Sequence, residues 1–122
     1  MIGLFNKGIK IYLAVEPCDM RKSFNGLTAL ALNHLEEALV KEALFVFTNK
    51  PRNRIKLLYF DGTGLWVAAK RLEEGTFNWP TSAQPGAKKI ALAPEALQLL
   101  IDGVELRSAG RRAWYESPMD SA

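Results

Sequence analysis

Short apolar runs bounded by turn residues recur along this chain, and they predict β-strands. Six such runs lie at residues 9–15, 43–50, 54–60, 65–72, 75–80 and 88–92. The third and fourth runs are joined by Asp-Gly-Thr-Gly, a sequence typical of a hairpin turn. Both are apolar on two faces near that turn, as strands are when a sheet is covered on both sides. The pattern therefore predicts a central, buried hairpin.

A longer segment has the three- and four-residue spacing of apolar side chains that is typical of an amphipathic helix. Its apolar stripe is formed by Phe24, Leu27, Ala31, Leu35 and Ala38. Asp19 is in position to cap a helix that runs from about Met20 to Ala38. Gly26 lies inside this helix, where it is less favourable than Ala by about 1 kcal/mol. Either Gly26 allows close packing or the helix begins later.

The end of the chain predicts a second helix and then a polar tail. Pro94 occupies the first turn of this helix and Gly103 ends it. Residues 107–122 carry few apolar anchors and are predicted to form a flexible, basic C-terminal tail. Residues 1–106 then form one domain, because 122 residues are enough for one core but not for two. The predicted fold class is α+β, a single domain with a mostly antiparallel sheet, a central hairpin and two helices.

The composition excludes several classes of protein. Hydrophobic residues make up 48% and charged residues 24% of the chain, which is typical of a folded globular domain. No apolar run approaches the roughly 20 residues that cross a bilayer, and the first residues do not form a secretory signal. Cys18 and His34 are the sole cysteine and histidine, so the sequence predicts neither an internal disulfide nor a zinc site. We therefore expect a cytoplasmic protein with no cofactor, no metal and no membrane association.

Positive charge is concentrated around the predicted hairpin. The net charge is only +3, yet residues 41–72 carry seven basic and two acidic side chains. Four cations lie in the segment 50–56, and two more end the second hairpin strand, where the antiparallel return places them alongside the first group. These residues are Lys50, Arg52, Arg54, Lys56, Lys70 and Arg71. If the two groups form one patch, it would suit binding to a DNA backbone. The alternative is that segment 50–56 is a solvated loop that keeps a strand end soluble.

A smaller group of cations precedes the apolar stripe of the first predicted helix. Arg21 and Lys22 fall in its first turn, where the helix dipole disfavours positive charge. Free backbone N–H groups beside two cations would form a site for a phosphate. The alternative is that Asp19 neutralises the pair locally. The predicted nucleic-acid-binding residues therefore also include Arg21 and Lys22.

Two tryptophans have different predicted environments. Trp66 lies in the apolar part of the hairpin and is predicted to belong to the core. Trp79 lies between Asn78 and Pro80 at a predicted strand end, where it either stacks on a base or packs as a surface aromatic.

No set of residues forms a convincing catalytic site. Candidate metal ligands for a nuclease are Asp19, Asp61, Glu73 and Glu74. Asp19 is better explained as a helix cap, and Asp61 as the first residue of the hairpin turn. Candidate nucleophiles and bases are Cys18, Ser23 and His34, but their spacing supports no nucleophile–base pair. We expect no catalytic residues in this chain.

Three motifs, in their order and spacing, resemble a known family. The motifs are CDMRKSFNGL (18–27), FVFTNKPRNRIKLLYFDGTGLWVAAKRLEEGTFNWP (45–80) and LAPEALQLLIDGVEL (92–106). They resemble the TnpB-type proteins encoded by the second reading frame of insertion-sequence-66 (IS66) transposons, over about residues 8–106. The resemblance implies an accessory protein of bacterial DNA transposition, with the catalytic acidic triad in a separate, larger transposase.

The resemblance and the basic patch together define two functional hypotheses. In the first, this is a non-catalytic accessory protein of a mobile genetic element, with two partners, duplex DNA and the transposase of the same element. It would contact the DNA backbone through the patch during recombination. In the alternative, it is an adaptor that binds the transposase without touching DNA.

Overall fold

Five of the six predicted strands form a single sheet. The computed structural model describes residues 8–40, 42–82 and 84–103. The strands are β1 (Lys10–Ala14), β2 (Ala43–Thr48), β3 (Arg54–Phe60), β4 (Leu65–Arg71) and β5 (Lys89–Leu92). Their order is β4-β3-β2-β1-β5, with β1 and β2 parallel and the other neighbours antiparallel. The predicted α+β class and mostly antiparallel sheet are confirmed, whereas the predicted tail at 107–122 lies outside the described residues.

The hairpin formed by β3 and β4 lies at one side of the sheet, so the prediction of a central hairpin covered on both faces is wrong. β4 is an edge strand, and β2 is the strand buried along its whole length. The physical reason is that β1 pairs with β2 on the side away from β3. The sheet therefore extends from β2 in that direction, and the hairpin remains at the other side. Trp66 on β4 is consequently 50% exposed, and its predicted place in the core is also wrong.

The sixth predicted strand, at 75–80, is irregular in the structure. Its alternation of buried and exposed residues is real, because Phe77 and Trp79 are both buried. The backbone, however, forms its hydrogen bond with a loop instead of a strand, because the Phe77 N–H donates to the carbonyl of Arg52 at 2.7 Å. The Trp79 indole Nε1–H donates to the carbonyl of Ala14 at 2.9 Å. Trp79 is a core residue, so neither a base-stacking nor a surface-packed role fits it.

Replacing Trp79 with Phe should lower the free energy of unfolding while leaving nucleic-acid binding unchanged. The substitution keeps an aromatic ring in the core but leaves the Ala14 carbonyl without its buried donor, a loss of about 1–3 kcal/mol. Denaturant unfolding measures the first effect and fluorescence anisotropy with a labelled oligonucleotide measures the second. A specific loss of single-stranded binding at unchanged stability would instead support base stacking.

The first helix begins later than predicted and changes its geometry. Helix α1 spans Phe24–Ala29, and a π-helical segment continues it over Leu30–His34. The prediction of a helix from Met20 to Ala38 capped by Asp19 is therefore wrong. Asp19 closes a turn before the helix, where its carboxylate accepts the Arg21 backbone N–H at 2.8 Å. This turn satisfies the carboxylate locally and closes at Lys22, two residues before the first helical residue, Phe24.

Gly26 allows a close approach inside α1. A Cβ atom at this position would lie 3.0 Å from both Cβ and Cγ of Lys22, which is tighter than ordinary van der Waals contact. Both explanations for this glycine therefore hold, because the helix begins later and the chain before it packs closely against its first turn.

Helix α2 (Pro94–Ile101) matches the second predicted helix. Gly103 follows it with a φ of +80°, the left-handed conformation that commonly ends helices. The two helices cover opposite faces of the sheet. Apolar residues of α2 pack with Phe77, Trp79 and one face of the strands, and those of α1 and the π-helical segment pack with the other face. Within the described ranges, no helix is both long and apolar enough to cross a membrane.

Candidate nucleic-acid interface

The loop that carries the first cations is held by its own side chains. The Asn49 Oδ1 atom accepts the backbone N–H groups of Asn53 and Arg54, each at 3.1 Å. The Asn49 Nδ2 group donates to Asn53 Oδ1 at 2.8 Å. Arg52 adopts a left-handed φ of +62°, and its carbonyl accepts from Phe77. These bonds fix the backbone between β2 and β3, so the side chains of the loop start from a defined position.

The register of the hairpin places the two predicted basic groups side by side. Arg54 lies directly opposite Arg71, and Ile55 lies opposite Lys70. Because side chains alternate between the faces of a strand, Arg54, Lys56 and Arg71 point to the face that carries α1. The prediction that the antiparallel return brings both groups together is confirmed for their backbone positions.

Lys70 points to the opposite face of the sheet, away from Arg54 and Arg71. It shares this face with Ile55, which packs in the α2 layer of the core. Its Nζ atom donates to the carbonyl of Ile101 at 2.7 Å, at the C-terminal end of α2. A cation at this end is favoured by the helix dipole, so Lys70 has a structural partner of its own.

A concave site forms where the three remaining hairpin cations meet the chain before α1. We call this site the cationic cleft, a cavity of about 300 Å³. Its lining includes Met20, Arg54, Lys56, Ala69 and Arg71. Ile55 and Lys70 also border it, but their side chains point to the opposite face of the sheet, where the Lys70 ammonium is bound by Ile101. The Lys56 Nζ atom donates to the carbonyl of Lys22 at 2.7 Å, which ties β3 to this part of the chain. None of the described lining residues is acidic, so the cleft is a cationic surface with an apolar wall.

Arg21 and Lys22 precede α1, so their predicted position in the first helical turn is wrong. Arg21 is paired with Asp19, whose Oδ2 atom accepts from Arg21 Nη2 at 2.7 Å. The Arg21 side-chain hydrogen bonds hold the pKa of Asp19 down to about 2. The local neutralisation by Asp19 therefore applies to Arg21. Lys22 contributes its backbone carbonyl, which accepts from Lys56, to the rim of the cationic cleft.

Lys50 and Arg52 lie beside the cationic cleft and do not line it. Lys50 is exposed in the loop before β3, and Arg52 is partly exposed. Their backbone lies at the same end of the hairpin as Arg54, which begins β3. Glu73, which follows β4, approaches Arg71 at 3.6 Å at this end, with both side chains largely exposed. The loop therefore extends the positive surface beyond the cleft.

Asp61 shapes the hairpin turn, as predicted. Its Oδ1 atom accepts from the N–H and the hydroxyl of Thr63 and from the N–H of Gly64, and its Oδ2 atom accepts from Trp66 Nε1. These donors, the Thr63 N–H foremost, hold the pKa of this carboxyl far below its usual range. Within residues 8–40, 42–82 and 84–103, no three His, Cys, Asp or Glu side chains are grouped so that they could hold a metal ion.

Replacing Asp61 with Ala should lower the melting temperature at neutral pH and have less effect in acid. A carboxyl whose pKa is depressed in the folded protein contributes stability above its unfolded pKa of about 3.9, and this contribution is lost as the pH falls towards the folded value. Thermal melts of both proteins between pH 7 and pH 2.5 measure the difference. A difference that stays constant with pH would contradict an electrostatic role.

Cys18 and His34 line a second, separate cavity of about 160 Å³. Partial burial raises the pKa of the Cys18 thiol, which disfavours the nucleophilic thiolate. His34 Nε2 lies 3.1 Å from Glu16 Oε1. Cys18 and His34 therefore share a cavity in which burial outweighs the effect of the nearby cations Lys22 and Lys56 and favours the protonated thiol.

Sequence reasoning missed Asn49 and Met20. Asn49 organises the loop through its side-chain hydrogen bonds. Asn side chains often bond to nearby backbone groups in turns, so an Asn directly before Lys50 and Pro51 was a local signal for this role. Met20 forms the apolar wall of the cationic cleft, and no local signal predicts that contact because it depends on how the segment before α1 packs on β4. The opposite orientations of Lys70 and Arg71 were implied by strand alternation.

Comparison with known proteins supports the resemblance drawn from the motifs. The chain matches the family model described as "IS66 Orf2 like protein" (TnpB_IS66) over residues 9–111. The uncharacterized protein y4jC of Sinorhizobium fredii (strain NBRC 101917 / NGR234) is 34% identical over 112 residues, covering 92% of each chain. The uncharacterized protein y4hO of the same strain is 33% identical over 101 residues, covering 83% of this chain and 85% of its own. No solved structure matches this chain at a significant level. The chain therefore belongs to the IS66 Orf2-like family, a membership that implies an accessory role in transposition.

Proposed function

We propose that this protein is a non-catalytic accessory protein of insertion-sequence transposition that binds the DNA backbone through the cationic cleft and the adjoining loop. The observation that carries the proposal is the convergence of Arg54, Lys56 and Arg71 on one cavity whose lining contains no acidic residue. Guanidinium groups bind phosphate oxygens with two parallel hydrogen bonds, and an ammonium adds a compact charge.

The geometry supports phosphate contacts rather than base reading. Helix α1 packs its apolar side on the sheet and has six residues, and α2 packs on the opposite face. Neither helix protrudes from the surface in the way that a helix does when it enters a DNA groove to contact bases. Contacts made mainly to phosphates give an affinity that depends weakly on sequence and strongly on salt.

A gel shift tests this function. Duplexes carrying the element's terminal repeats and duplexes of random sequence are each titrated with purified protein at two salt concentrations. We expect similar affinities for both duplexes and a much weaker shift at the higher salt. The absence of any shift at low salt would contradict DNA binding by the isolated protein.

A second candidate function, an adaptor for the transposase, is favoured by the position of β4 at the edge of the sheet. Among the residues that the structure describes, β4 pairs with β3 alone, and Trp66 on this strand is half-exposed with its indole N–H bound by Asp61. Edge strands pair readily with a strand from another protein, and exposed tryptophans are frequent in protein interfaces. Co-purification with the transposase after nuclease treatment, without any DNA shift, would favour this function.

A further inference from the structure

Two arginines face each other directly across the hairpin. Arg54 and Arg71 are register partners on the same face, so their Cβ atoms lie about 4.5–5.5 Å apart. Like charges at directly opposite positions destabilise a strand pair. The Arg71 contact with Glu73 is long, at 3.6 Å, and involves side chains that are 61% and 84% exposed, so it offsets this repulsion weakly. An anion held between the two guanidinium groups would relieve the repulsion.

A third cation is fixed beside this pair. Lys56 lies two residues beyond Arg54 on the same face of β3, and its Nζ atom is held by the carbonyl of Lys22 at 2.7 Å. An ammonium group has three N–H donors, so two remain for a ligand. Because the protein already orients this group, less side-chain entropy is lost when an anion binds.

The shape of the cationic cleft distinguishes between two kinds of phosphate. A phosphodiester within a duplex carries sugars on both sides and one negative charge, whereas a terminal phosphomonoester projects from one sugar, carries about −1.5 to −2 charges at pH 7 and has three free oxygens. The cleft is concave, holds about 300 Å³ and presents three cations without an acid in its lining. A projecting dianion matches both the concavity and the charge.

We infer that the cationic cleft binds the terminal phosphomonoester of a DNA strand, so its ligand is a DNA end. The inference rests on the proposed DNA-binding function and narrows it to one class of substrate. Hydrolysis of a phosphodiester bond leaves a phosphate on one fragment and a hydroxyl on the other. A strand-cleaving reaction is therefore the class of step that would supply this ligand.

The test compares two duplexes that differ only at one end. A fluorescent hairpin duplex is prepared with either a 5′-phosphate or a 5′-hydroxyl, and its dissociation constant is measured by anisotropy at one salt concentration. We expect the phosphorylated end to bind about tenfold more tightly, the effect of roughly one charge-assisted hydrogen bond. The variants Lys56→Met and Arg71→Gln should each reduce this preference. Lys88→Met should keep it, because Lys88 is an exposed cation beside β5, at the side of the sheet opposite β4.

The possible outcomes separate this inference from the function on which it rests. Equal binding of both duplexes overturns the inference and leaves backbone binding intact. No binding of either duplex overturns the proposed function and this inference together. A nucleoside 5′-monophosphate is titrated as a competitor. If it binds as tightly as the phosphorylated duplex, the ligand is a free nucleotide and the DNA-end assignment is wrong. Thermal melts of each variant exclude misfolding as the cause of a lost preference.

Discussion

Replacing Arg54 with Glu should raise the stability of the protein and remove most of its affinity for DNA. The introduced carboxylate would lie directly opposite Arg71, so an opposite-charge pair replaces a like-charge pair, a gain of up to about 1 kcal/mol. The same change removes a phosphate-binding cation and places an anion at the cationic cleft. We expect the dissociation constant for duplex DNA to increase at least about tenfold at low salt, because one charge-assisted hydrogen bond is lost.

Opposite signs for stability and affinity are what make this substitution informative. Thermal unfolding and anisotropy titrations on the same preparation measure the two effects. Arg54→Gln is the matched control, because it removes the positive charge without creating an ion pair, and it should lie between the wild type and Arg54→Glu in both measurements. An unchanged affinity in Arg54→Glu would contradict a role for the cleft in DNA binding.

Removing both arginines of the cross-strand pair should flatten the salt dependence of binding. If about four cations contact phosphates, log K falls against log salt with a slope of roughly −3.6. Replacing Arg54 and Arg71 with Ala removes two of them, so the slope should change to roughly −1.8. Anisotropy titrations at several salt concentrations measure both slopes, and the hairpin should remain folded because both side chains are exposed.

Lys70→Ala is the matched control for this double substitution. Lys70 is adjacent to Arg71 in sequence but donates to the Ile101 carbonyl on the opposite face, so its removal should lower the melting temperature and keep the slope. A slope that flattens equally in Lys70→Ala would indicate a general charge effect. An unchanged slope in the double variant would remove DNA from the proposed function, and the adaptor function would replace it.

Features set by local sequence were predicted well. The strands of the hairpin, the turn organised by Asp61 and the helix begun by Pro94 all depend on residues within a few positions of one another. The position of Arg71 opposite Arg54 was also predictable, because a short turn joins the two antiparallel strands. These features define the cationic part of the candidate site.

Features set by distant contacts were predicted poorly. The edge position of β4 depends on the pairing of β1 with β2, which brings together segments about 33 residues apart along the chain. The burial of Trp79 depends on the carbonyl of Ala14, 65 residues earlier. At residues 75–80, buried and exposed side chains alternate although the backbone pairs with a loop. Periodicity alone could not distinguish this arrangement from a strand. The apolar wall formed by Met20 was missed for the same reason.

The arrangement of β1 between β2 and β5 has a consequence for synthesis of the protein on the ribosome. β2, β3 and β4 are consecutive antiparallel neighbours and can pair as soon as residue 71 has emerged. β1 is made first, but one of its edges has no partner until β5 emerges, about 75 residues after β1 ends. A nascent chain therefore exposes that strand edge until β5 has emerged, and such edges promote aggregation. We expect ribosome-bound chains that stop before residue 89 to depend on chaperones, although the hairpin and its cations are already in place.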